Sequence, residues 1–168
     1  MAPGPAPQYE LLADHHSEHG PTVVQVRGSL IASSLATLRT NNLFDRYLEH
    51  LPTEQHDNVL FVLAASWVPI EVAMAHYGAC DAMQLNEAEL EAMGRSVSEK
   101  LVGTLLGTLV RTARLLIAPK SMPLRQYPKL WDRLLMGGGC RISMLGDNEA
   151  RIESHGVPMF RFRYFRVA

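Results

Sequence analysis

At 168 residues, with 47% hydrophobic and 20% charged residues, the chain has the composition of one globular domain and is too apolar for wholesale disorder. A formal net charge of −1 gives no general attraction to nucleic acid or anionic lipid. Two cysteines supply neither a disulfide framework nor, by themselves, a zinc site, and the expected compartment is the cytoplasm.

MAPGPAPQ cannot bury enough surface to order itself, so residues 1–21 read as a flexible tail before one α+β domain over 22–168. That tail carries Asp14, His15, His16, Glu18 and His19, which are metal-ligating types. On a solvated segment they imply adventitious affinity more than a built site. TVVQVR, from Thr22 to Arg27, alternates weakly as a short strand. Leu30, Ile31, Leu35 and Leu38 then predict a helix ending near Thr40. Asn41 or Asn42 is a suitable cap for a short helix carrying Leu43, Phe44, Tyr47, Leu48 and Leu51, which Pro52 ends. Thr53 opens the next helix, whose VLFVLAA run is apolar on all sides and expected to be buried. Ser66 is placed to cap a further helix with Pro69 in its first turn and Ile70, Ala73, Met74, Tyr77 and Cys80 facing inward. Asn86 and Glu89 have capping-box spacing before a short helix ending at Gly94.

The segment Ser96 to Ile117 has the strongest helical periodicity, with Leu101, Leu105, Leu109 and Leu116 on one wide apolar face. Ser96 and Glu99 have the capping-box spacing at its start, and Pro119 stands beyond its end. It predicts a buried central helix, while Lys100, Arg111 and Arg114 break the apolar run below the ~20 residues of a membrane span. Gly103 and Gly107 form a small-residue pair on this helix, which predicts a close backbone contact within the fold or across a dimer. PKLWDRLLM is a short helix offering Leu130, Trp131, Leu134 and Leu135 to the core, released by Gly137, Gly138 and Gly139. CRISML, ARIESH and MFRFRYFRV follow as three strands of an antiparallel meander, the last alternating Phe160, Phe162 and Tyr164 with arginines. The layout is a helical first two-thirds followed by a β-meander.

Few residues here carry recognisable chemistry. His76 and Cys80 are four apart on one helix and within reach of one metal or haem iron, although a histidine on an apolar face is more often a satisfied core residue. No G-x-S-x-G elbow or protease-like cysteine motif is present, so catalysis is not the expectation. No P-loop Lys-Ser/Thr follows the three glycines. Arg161, Arg163 and Arg166 read as a solvated face.

SWVP, HYGA, MG before a capped helix, YPKLWDRLLMGGG and GVPMFRFRYFR together resemble an uncharacterised paralogous family of myxobacteria, over roughly Gly28 to Arg166. The layout is similar to the superfamily of haem–nitric-oxide-binding domains, vinyl-4-reductase-type sensors and TRAPP trafficking subunits. That resemblance implies an apolar cavity between helices and sheet, often in a homodimer, and sensing or assembly more than catalysis. The Tyr-x-Ser-x-Arg propionate clamp of the haem branch and the cysteine cluster of some sensor domains are missing from this chain. The expectation is therefore a non-enzymatic module for a small apolar molecule, without nucleic acid or membrane span. Trp67, Met74, His76, Tyr77, Cys80, Leu105, Leu109 and Trp131 are its candidate pocket residues. Gly103 and Gly107 are its candidate dimer contact. No cofactor is expected, with a haem sensor using His76 and a ligand-free interaction scaffold as the alternatives.

Overall fold

Among the described residues, two small antiparallel sheets and a set of helices form an α+β architecture. The computed structural model describes residues 10–101, 122–146 and 149–167. Gly103, Leu105, Gly107 and Leu109, and with them most of the expected central helix, lie outside the described residues.

The smaller sheet has β2 (Gln25–Arg27) between β3 (Trp67–Pro69) and β4 (Leu135–Met136). Val26 is paired with Val68 on one side and Leu135 on the other, and it is fully buried. From β2 the chain passes directly into α1 (Gly28–Thr40), whose Ile31, Ser34, Leu35 and Leu38 form the buried stripe. Gly28 is required at this junction, because a Cβ there would collide with the Leu63 carbonyl and Val62. Asn41 and Asn42 close α1 rather than opening the next helix. Asn41 Nδ2 donates to Thr37 O at 2.9 Å, and Asn42 has φ 58°, a left-handed geometry asparagine tolerates. α2 (Phe44–Leu48) then starts without a side-chain cap and buries Tyr47.

A 3₁₀ turn (Thr53–Gln55) leads into α3 (His56–Leu60), which stops where the apolar run continues. Val59 is buried, whereas Phe61 is 75% and Leu63 72% exposed, so the expectation that VLFVLAA is buried throughout is corrected. The helix ends because the chain turns back there to place β3 beside β2. The Ser66 hydroxyl donates to Leu63 O within that turn and does not cap a helix. α4 (Ile70–Ala82) follows with Val72, Ala73, His76, Tyr77, Ala79 and Cys80 buried.

At α5 (Glu87–Leu101) the capping box forms as expected. Asn86 Oδ1 accepts from Glu89 N at 3.0 Å, and Glu89 Oε2 accepts from Asn86 N at 2.8 Å. The helix does not end at Gly94 but continues through Ser96 to Leu101, so Ser96 and Glu99 sit within it rather than starting a new one. Two short helices come next, α6 (Met122–Arg125) and α7 (Tyr127–Leu134), the latter with Trp131 buried.

The larger sheet has the order β1 (Glu10–His16), β5 (Gly139–Gly146), β6 (Glu149–His155). Residues 10–16, read from sequence as flexible tail, thus form an antiparallel edge strand on β5. Gly137 and Gly138 have φ +101° and +67° and turn the chain from β4 into β5. The segment read as a third meander strand is not one: Pro158–Arg161 is a 3₁₀ turn and Arg163–Val167 a short helix, α8. Asp81 Oδ1 accepts from Tyr164 N at 2.9 Å, fixing the start of α8 against α4. Met159 and Tyr164 are buried in that position, so the aromatic run supplies the core from helical turns instead of from a sheet face.

Candidate functional site

An apolar cleft of about 150 Å³ lies beside α7. It is lined by Tyr127, Leu130, Trp131 and Leu134 of α7, by Leu135, and by Leu30 of α1. Ser154 of β6, Val157, Phe160 and Phe165 complete the lining. Trp131 is only 4% exposed, and its Nε1 donates to Gly137 O at 3.1 Å, which locks the ring as a fixed wall. Phe160 and Phe165 meet edge to face with centroids 5.5 Å apart, and Phe165 in turn packs on Tyr77 at 4.8 Å. No charged side chain lines this cleft. The Ser154 and Tyr127 hydroxyls are its side-chain polar groups, and burial raises the Tyr127 pKa, keeping the phenol protonated.

His76, Tyr77 and Cys80 are brought together as expected, but within packed core. Tyr47 Oη lies 2.8 Å from His76 Nδ1, and Cys80 Sγ lies 3.8 Å from His76 Nε2. With the Tyr47 O–H as donor, the ring proton sits on Nε2, facing the sulphur. Ser34 Oγ and Tyr164 Oη are 3.0 Å apart beside them, so α1, α2, α4 and α8 share one buried polar cluster. Burial pushes the His76 pKa down to about 3 and the Cys80 thiol up. Both groups are therefore neutral, and the pair is not a thiolate–imidazolium nucleophile. Either ring nitrogen of His76 would have to give up its neighbour to bind a haem iron or metal, so this arrangement does not fit an axial ligand.

A second, polar cleft of about 450 Å³ is lined by His15, His16, Ser17, Glu18, His19, Trp67, Asp132, Leu135 and Met136. Each imidazole here has a carboxylate neighbour: His15 with Asp132 at 2.9 Å, His16 with Asp14 at 3.2 Å, and His19 with Glu18 at 3.8 Å. Among the described residues no group of three or more His, Cys, Asp or Glu is arranged to hold a metal ion. The Arg27 guanidinium stacks 4.1 Å from the Trp67 ring centroid.

Of the candidate pocket residues, Leu105 and Leu109 lie outside the described residues, and His76, Tyr77 and Cys80 share the packed core rather than either cleft. Trp131 lines the apolar cleft, Trp67 lines the polar one, and Met74 packs half-buried on the core. Sequence reasoning missed Leu30, Tyr127, Val157, Phe160 and Phe165 as cleft walls. The aromatic run from Phe160 to Phe165 was the available signal, and its alternation pointed to a strand. No helix among the described residues is long and apolar enough to cross a membrane. No protein-family model matches the chain, and no curated protein or solved structure matches it at a significant level.

Proposed function

We propose that the chain is a non-enzymatic binding or sensing module that takes a small, uncharged apolar molecule in the cleft beside Trp131. The observation that carries this reading is the cleft itself, walled by aromatic and aliphatic side chains with no charged group. An apolar cavity near 150 Å³ matches a benzene-sized guest and falls below the ~300 Å³ at which drug-sized pockets begin. The ligand is accordingly one ring or a short aliphatic chain, with at most a hydroxyl or carbonyl for Ser154 or Tyr127. The resemblance to a superfamily of ligand-binding and assembly domains points the same way, and the reading includes a homodimer in the cytoplasm. Titration with benzene and with indole, followed by calorimetry and by methyl chemical shifts of Leu130 and Leu134, tests the reading. Saturable binding that Leu134→Phe abolishes is expected. Absence of saturable binding by either probe overturns it.

A second reading, a scaffold that docks a protein without any ligand, is favoured by Phe61 and Leu63. Both are over 70% exposed in the turn after α3. Phe61→Ser would leave probe binding intact under the first reading.

A further inference from the structure

Strand β6 is an edge of its sheet, with β5 on one side and no strand among the described residues on the other. Residues 149–153 are all exposed, and Ile152 leaves 43% of its surface in water. An open edge presents a row of backbone N–H and C=O groups that templates pairing with another strand unless it is blunted. The opposite edge, β1, is blunted: its register breaks between Leu11 and Ala13, and Arg125 of α6 bonds Glu10 at 2.8 Å. The β5–β6 register also breaks, between Met144 and Gly146, but only at the turn end of the strand, and from Ala150 to His155 the pairing is regular.

Those charges are self-complementary. When two copies of E-A-R-I-E-S-H run antiparallel with Ile152 opposite Ile152, Arg151 faces Glu153 of the second copy. By symmetry Glu153 faces Arg151 of that copy, and Glu149 faces His155. A shift of one residue in either direction puts no charge opposite a charge. A shift of two puts Arg151 on Arg151 or Glu153 on Glu153. Of these registers, the one centred on Ile152 sets Arg151 against Glu153 twice and covers the whole strand. Centring on Ala150 pairs Glu149 with Arg151 but overlaps only the first residues, and directly opposed cross-strand charges help decide such registers.

The two faces of the strand agree with this arrangement. Ile152 is the cross-strand partner of Ile142, which is fully buried, so the isoleucines share the core-side face. Glu153 stands opposite Arg141, which bonds Asp14 at 2.8 Å on the solvent side. Pairing would cover Ile152 and leave the ion pairs at the water-facing surface.

We infer that the chain forms a two-fold homodimer through β6, joining two three-stranded sheets into one continuous sheet. This is β-augmentation with a second copy as the added strand, and it does not depend on the apolar cleft. A seven-residue strand pair is small beside the ~1,200 Å² of a standard interface, so the dimer is a weak, concentration-dependent one.

The test is sedimentation of the full chain over a concentration series, with Arg151→Glu, Glu153→Arg and the double exchange. Each single variant opposes like charges in its own homodimer and should weaken association roughly tenfold. The double exchange restores opposite charges and should associate like the wild type. An equimolar mixture of the two single variants should also recover association, because each supplies the charges the other lacks. Circular dichroism and melting temperature verify the fold, and Ile152→Lys serves in place of any variant that misfolds. A wild type that stays monomeric overturns the proposal. So do single variants that associate like the wild type, or a mixture without recovery.

Discussion

His76 makes the stability of this fold fall in mild acid, because its imidazole is buried neutral against Tyr47 and Cys80. Its pKa drops from the ordinary 6.5 to about 3 through burial alone. The unfolded chain takes up a proton on this ring near pH 6.5, and the folded chain resists until about pH 3. The contribution is therefore complete above pH 6.5 and is lost as pH falls through that window. One proton corresponds to about 1.4 kcal/mol per pH unit, so roughly 2–3 kcal/mol is lost by two units below the ordinary pKa. That is a large part of the ~5–15 kcal/mol a domain of this size holds. The assay is denaturant unfolding at half-unit steps from pH 7.5 to pH 4.5, and the carboxylates that begin to titrate at its acid end do so equally in the variant. Wild type should lose about one proton's worth of slope more than His76→Gln, whose side chain has no proton to gain. Parallel pH profiles for the two proteins would refute the reasoning. A His76 titration near pH 6.5 in the folded state would refute it equally.

Two further outcomes follow from the elements around this core. Asn86→Ala removes the acceptor for Glu89 N and should cost about 0.5–2 kcal/mol, measured as a shift in denaturant midpoint at unchanged slope. Removing residues 1–16 strips β1 from β5 and should lower the melting temperature by several degrees, since ~1 kcal/mol is worth ~2–4 °C at this length. An unchanged melting temperature would mean that β1 adds nothing to the sheet.

What could be read in the sequence was local. The Asn86–Glu89 box depends on four consecutive residues, and α1 and α4 on apolar steps within thirteen each, so their signals are complete without tertiary context. The β5–β6 hairpin was legible for the same reason. β1 was not, because ELLADHH shows no clean alternation and its partner strand lies more than a hundred residues further on. The period-two aromatics at Phe160, Phe162 and Tyr164 misled because a 3₁₀ turn followed by a short helix buries the same residue types through different contacts. Phe61 and Leu63 misled because hydrophobicity alone does not say where a helix stops. Of the cleft, Trp131 was visible as a core aromatic on an amphipathic helix. Leu30, Val157 and Phe165 become its neighbours only once α1, α7 and α8 are packed, and no pattern within any one segment carries that information.

The claim that the cleft beside Trp131 accepts a small apolar guest is tested most directly by diffraction from crystals under xenon pressure. Xenon needs no hydrogen bond and enters apolar cavities of this size. An anomalous peak is expected between Trp131, Leu134 and Phe160, absent in Leu134→Phe crystals treated identically. Crystals that show no xenon at that position, or the same peak in Leu134→Phe, would contradict it.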